Sequence, residues 1–140
     1  MAGLADADAA TQEGRLFGSK KREAARSRVQ AETERLRSMT DVQLAAEVMT
    51  KFGSFAADTE DINVGMLGKA FVPDAPYMRG DVLAALWKII DEGAQVLQEA
   101  GLVNSKGWGG AGDGNVYTVT RKGRTALEQN TVEQLVGGSG

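Results

Sequence analysis

Neither cysteine nor histidine occurs in this 140-residue chain. Without cysteine there is no disulfide framework and no thiolate-bound zinc; without histidine there is no imidazole ligand and no Ser-His or Cys-His nucleophilic pair. The common enzyme constellations are thereby excluded, and the expectation is a protein that is not an enzyme and takes no metal or cofactor. Proline is scarce too: the only two fall in Val72-Pro73-Asp74-Ala75-Pro76, a run that forbids helix. No apolar run approaches the roughly 20 residues of a membrane helix. The opening MAGLADADAATQEG has neither a basic n-region nor an apolar h-region, so a cytoplasmic protein without a membrane segment is expected. What is present, 42% hydrophobic and 25% charged residues with a net charge of −3, is the composition of one globular domain with tails.

That small net charge conceals an asymmetry. Residues 15–37 hold eight basic residues (Arg15, Lys20, Lys21, Arg22, Arg26, Arg28, Arg35, Arg37) against Glu23, Glu32 and Glu34, a net of +5. The remainder holds eight basic and sixteen acidic residues, a net of −8. Residues 1–18 have too few apolar side chains to offset their ordering and read as a flexible tail. Residues 19–38 are rich in helix formers, with few apolar positions, Ala25, Val29 and Leu36 on one side, and read as a basic, solvated helix. Deleting residues 1–37 is therefore expected to cost little stability.

Periodicity organises the rest. Thr40 and Gln43 form a capping box, opening a helix through Leu44, Val48, Met49 and Phe52 that Gly53 should stop. A second helix is expected from about Thr59, with Glu60 and Asp61 in its first turn. From Gly80 onward Val82, Leu86, Ile89, Gly93, Leu97 and Ala100 recur at helical spacing, and Gly101 stands where a left-handed cap belongs. Residues 104–115 contain five glycines and read as a hairpin tip before the strand Val116–Thr120. One last helix should run from Thr120 through Val136, leaving 137–140 as a linker-like tail. Leu44, Val48, Leu67, Leu86, Ile89, Leu97, Tyr117, Val119 and Leu127 are expected to share one core.

This order of elements resembles the winged-helix family of DNA-binding domains, over residues 39–136. The return from the wing follows the family's pattern as Tyr117-x-Val119-Thr120-x-x-Gly123-x-x-x-Leu127. The resemblance implies a mainly α fold with a small β-hairpin, a winged helix-turn-helix preceded by the basic N-terminal helix. It also implies a nucleic-acid-binding protein, a small transcriptional regulator whose partner is duplex DNA. Tyr77 and Arg79 would begin the recognition helix, with Lys88 farther along it. Lys106 and Trp108 would stand on the wing, Arg121, Lys122 and Arg124 at its return, and Lys20, Lys21, Arg22, Arg26 and Arg28 on the basic helix. Glycines let a wing lie against phosphates, and helix N-termini point free amides at them.

Other readings stand beside this one. The solvent face expected for residues 80–99 carries Asp81, Asp91, Glu92 and Glu99 with Lys88 alone opposing them, which argues against lengthwise insertion into a major groove. The same acids, Asp91, Glu92 and Glu99, with Trp108, suit an alternative function as a protein-interaction module, adaptor or inhibitor. Trp108 is either folded back on the core or left for a partner. A homodimer is compatible with the sequence. The glycine-rich tip lacks the Gly-Lys-Ser/Thr of a phosphate loop, and Asp58, Glu60 and Asp61 read as a helix start rather than a metal site.

Overall fold

Local capping signals decide where most helices begin and end. The computed structural model describes residues 2–55, 61–73, 81–108 and 114–137, with side chains from residue 20 onward except at 81 and 108. In chain order the elements are α1 (Ala2–Arg37), α2 (Asp41–Phe55), β1 (Ile62–Asn63), α3 (Val64–Phe71), α4 (Asp81–Glu99), β2 (Val103–Trp108), β3 (Asn115–Val119), α5 (Arg121–Gln129) and α6 (Val132–Gly137). The fold is mainly helical with a three-stranded antiparallel sheet in the order β1-β3-β2.

At the start of α2 the capping box is made in full. The Gln43 amide donates to Thr40 Oγ1 at 3.2 Å, and the Thr40 amide donates to Gln43 Oε1 at 3.1 Å. At the end of α4, Gly101 adopts φ +80° and donates its amide to the Gln98 carbonyl, while the Leu102 amide reaches the Leu97 carbonyl. This paired arrangement closes the helix and turns the chain into β2. Thr120 then caps α5, accepting from the Gly123 amide at 3.0 Å while its hydroxyl donates to the Gly101 carbonyl at 2.7 Å. One threonine thus joins the ends of α4 and β3 to the start of α5. Gly123 is required there: a Cβ would lie 2.1 Å from the Leu102 carbonyl oxygen.

The core is continuous. Leu44, Val48, Leu67, Leu86, Ile89, Leu97, Tyr117 and Val119 are buried in one cluster, with Leu127 partly buried against it. Gly93 lets α2 approach α4, since a Cβ would sit 2.7 Å from Val48 Cγ2. Phe52 meets the Tyr117 ring edge to face, with centroids 5.9 Å apart.

Several expectations are corrected. α1 runs as one helix from Ala2 to Arg37. Residues 19–38 are not a solvated helix. Ala25, Val29, Thr33 and Leu36 are 0–3% exposed and α1 packs on α4. Thr33 is tolerated in that stripe because its hydroxyl donates to the Val29 carbonyl at 2.7 Å. Gly53 does not stop α2, which continues to Phe55; the glycine instead faces the Leu127 side chain. Thr59 and Glu60 lie outside the described residues; Ile62 is in a strand paired with Tyr117, and α3 begins at Val64 after Asn63, whose side chain caps the Met66 amide at 2.7 Å. Finally, residues 104–108 belong to β2 rather than to a tip, and the last helix is split at Asn130, whose φ of +55° ends α5. Gly137 is the last residue of α6.

Candidate nucleic-acid interface

The basic residues of α1 sort into two groups. Arg35 is bound to Glu32 on its own helix and reaches Glu47 of α2 at 3.3 Å. Those two carboxylates hold its guanidinium well above the usual arginine range. Arg37 pairs with Glu34 at 3.0 Å. Both therefore spend their charge inside the molecule. Upstream, Lys20, Lys21, Arg22, Arg26 and Arg28 are all exposed, with Glu23 the single acid among them. This is a net of +4 over residues 20–28.

Burial of Ala25, Val29 and Leu36 fixes that cationic stretch relative to α4. A groove of about 290 Å³ separates the two helices, with Arg26, Gln30 and Arg37 on one wall and Val82 and Ala85 on the other. Arg26 is thus held beside the first turns of α4. Tyr77 and Arg79, expected to begin the recognition helix, lie outside the described residues, as does the side chain of Trp108.

Along α4 the exposed stripe is Ala84, Lys88, Glu92, Gln95 and Glu99. Asp91 is not an open member of it, contrary to expectation. Its carboxylate accepts from the Tyr117 hydroxyl, from Asn115 Nδ2 at 3.1 Å and from Gln95 Nε2 at 3.3 Å. Burial, then the Asp91 hydrogen bond and charge, push the Tyr117 phenol above its ordinary range. Asp91 is therefore a brace between α4 and β3, and the acids left open on this stripe are Glu92 and Glu99. The side chain of Asp81 is outside the described residues.

The remaining cations lie elsewhere. Arg121, Lys122 and Arg124 occupy the first turn of α5, all exposed. Lys122 Nζ donates to the Ala100 carbonyl at 2.9 Å, closing the negative end of α4. These three sit by the C-terminus of α4 and the α1 cations near its N-terminus, on the order of 25 Å apart along a helix of this length. They form two patches, not one. Lys106, on β2, pairs with Asp61 at 2.8 Å. Asp61 was legible only as a helix-start acid, and nothing local in the sequence joins it to Lys106; the sheet order does so.

Among the described residues, no group of three Asp or Glu side chains could hold a metal, and no helix is long and apolar enough to cross a membrane. No protein-family model matches this chain, and no curated protein or solved structure matches it.

Proposed function

We propose that this protein is a winged-helix nucleic-acid-binding protein, a small transcriptional regulator that contacts duplex DNA through the cationic stretch of α1, the start of α4 and its hairpin. The observation that carries the reading is the placement of Lys20–Arg28: four more positive than negative charges, exposed, on a helix that packs on α4 through buried Ala25, Val29 and Leu36. The order helix, short strand, helix, helix, hairpin, with β1-β3-β2 pairing, supports the winged-helix assignment. Glu92 and Glu99 on the open stripe of α4 limit the approach. Carboxylates lowered into a groove meet phosphates, so the first turns of α4 are presented and the helix is not laid lengthwise. Recognition in this arrangement is mostly of backbone.

A salt titration of binding to mixed-sequence duplex DNA tests the reading. Phosphate contacts give a slope of about −0.9 per contact. Replacing Lys20, Lys21, Arg22 and Arg26 together by alanine should flatten it by up to about 3.6 units. No salt-dependent binding at low ionic strength would rule the reading out. The exposure of Glu92 and Glu99 favours one second reading, a module that binds a basic protein partner. In that case Glu92→Gln with Glu99→Gln abolishes partner capture and the α1 substitutions do not.

A further inference from the structure

The hairpin β2–β3 has one cation to offer a phosphate, and an acid of the same chain already holds it. Between Val103 and Val119 the sequence contains a single lysine or arginine, Lys106. It is the extra residue of a β-bulge, where the register passes from Ser105↔Tyr117 to Gly107↔Val116 and Gly107 adopts φ +89°. A bulge re-aims the side chain it carries. Lys106 Nζ lies 2.8 Å from Asp61 Oδ1, and Asp61 immediately precedes β1, on the far side of β3. The outer strands of such a sheet are roughly 10 Å apart, so the ion pair straps its full width. The two side chains stay 48% and 59% exposed, so solvent and dissolved ions reach the pair.

We propose that Asp61 is an internal counter-anion for the wing: it occupies Lys106 in the free protein, and a nucleic-acid phosphate must displace it to recruit the hairpin's charge. The inference rests on the nucleic-acid reading above. Carboxylate and phosphate oxygens both accept from an ammonium, so they compete for it. A phosphate brought up while the carboxylate stays in place meets a like charge. An exposed pair is weak, so Asp61 tunes the wing and does not block it. The device makes hairpin engagement a late, backbone-driven step that follows capture by α1.

The test is equilibrium binding of the full chain to a mixed-sequence DNA duplex at several salt concentrations. Asp61→Asn and Asp61→Ala should each tighten binding about two- to five-fold at low salt. That gain should exceed the effect of Glu133→Gln, which removes an exposed carboxylate from α6. Lys106→Ala should weaken binding more in the Asp61→Ala background than in the wild-type chain, because the carboxylate no longer competes for the ammonium there. Additive effects, or a gain no larger than that of Glu133→Gln, overturn the proposal while wild-type binding stands. A wild-type chain without salt-dependent affinity for the duplex overturns the nucleic-acid reading first, and this inference with it.

Discussion

Two stretches of α1 differ in charge and in surroundings: residues 32–37 sum to zero, residues 20–28 to +4. In residues 32–37 each arginine is answered by a glutamate, and Thr33 and Leu36 are buried. In residues 20–28 Lys20, Lys21, Arg22 and Arg26 stand exposed, with Glu23 the single acid in the stretch. A charge count along the sequence separates them, and the packing of α1 on α4 adds that the neutral stretch carries the buried Thr33 and Leu36. The buried turns of α1 and its exposed cationic turns belong to one continuous helix, so packing on α4 sets where the proposed binding stretch stands.

The largest test of that comparison removes the anchor. Deleting residues 1–37 takes away Val29 and Leu36, both fully buried. Burial of two such side chains is worth about 3–6 kcal/mol, so the truncated domain should melt far lower or fail to fold. This reverses the expectation from sequence, which saw too few apolar positions. Leu36→Ala alone should cost about 2–5 kcal/mol in denaturant unfolding. Lys20→Ala or Lys21→Ala should change stability by less than about 0.5 kcal/mol. Equal losses from the two stretches would end the distinction between anchor and binding surface.

Next in size are the glycines that let elements touch. Gly123→Ala would press a methyl against the Leu102 carbonyl oxygen at 2.1 Å, a backbone atom that cannot rotate away. Gly93→Ala would press one against Val48 Cγ2 at 2.7 Å, a side chain with some freedom. Costs of about 3 kcal/mol and about 1–2 kcal/mol respectively are expected by thermal unfolding, in that order. The reverse order would mean that the junction of β2 with α5 yields more readily than the α2–α4 crossing.

How much was legible follows from the range of each interaction. The capping box at Thr40, the closure at Gly101 and the Thr120-x-x-Gly123 turn involve residues a few positions apart, and each is made as read. The stripe Ala25-Val29-Thr33-Leu36 was missed because its third member is polar by type, although a local hydrogen bond satisfies it. Gly53 and Ile62 were misread because neighbours distant in sequence, Leu127 and Tyr117, set their roles. The pairs Lys106–Asp61, Tyr117–Asp91 and Arg35–Glu47 exist only once the sheet order and helix packing are known.

A pH measurement probes the brace between α4 and the sheet. The folded state raises the Tyr117 phenol above its unfolded value of 10.0, chiefly by burial. A raised pKa contributes stability that is fully present below the unfolded value and is lost as pH rises toward the folded one. Unfolding free energy should therefore fall with pH only above about 10 on account of this group, and Tyr117→Phe should remove that part of the alkaline limb. An unchanged limb in the variant would assign the loss to other groups.

The smallest effect concerns the arginine that anchors. Arg35 and Glu47 join α1 to α2 at 3.3 Å, but their side chains are 44% and 38% exposed. Solvent and salt screen such a pair, and Glu32 remains to partner Arg35 when Glu47 is lost. Glu47→Gln should thus cost about 0.5 kcal/mol or less in low-salt unfolding, and less still in high salt. Because apolar burial, and not charge, seats α1, salt should weaken the proposed DNA binding through residues 20–28 at concentrations that leave the melting temperature almost unmoved. A melting temperature that fell in step with DNA affinity would instead make the anchor electrostatic, and the two stretches of α1 would no longer differ in kind.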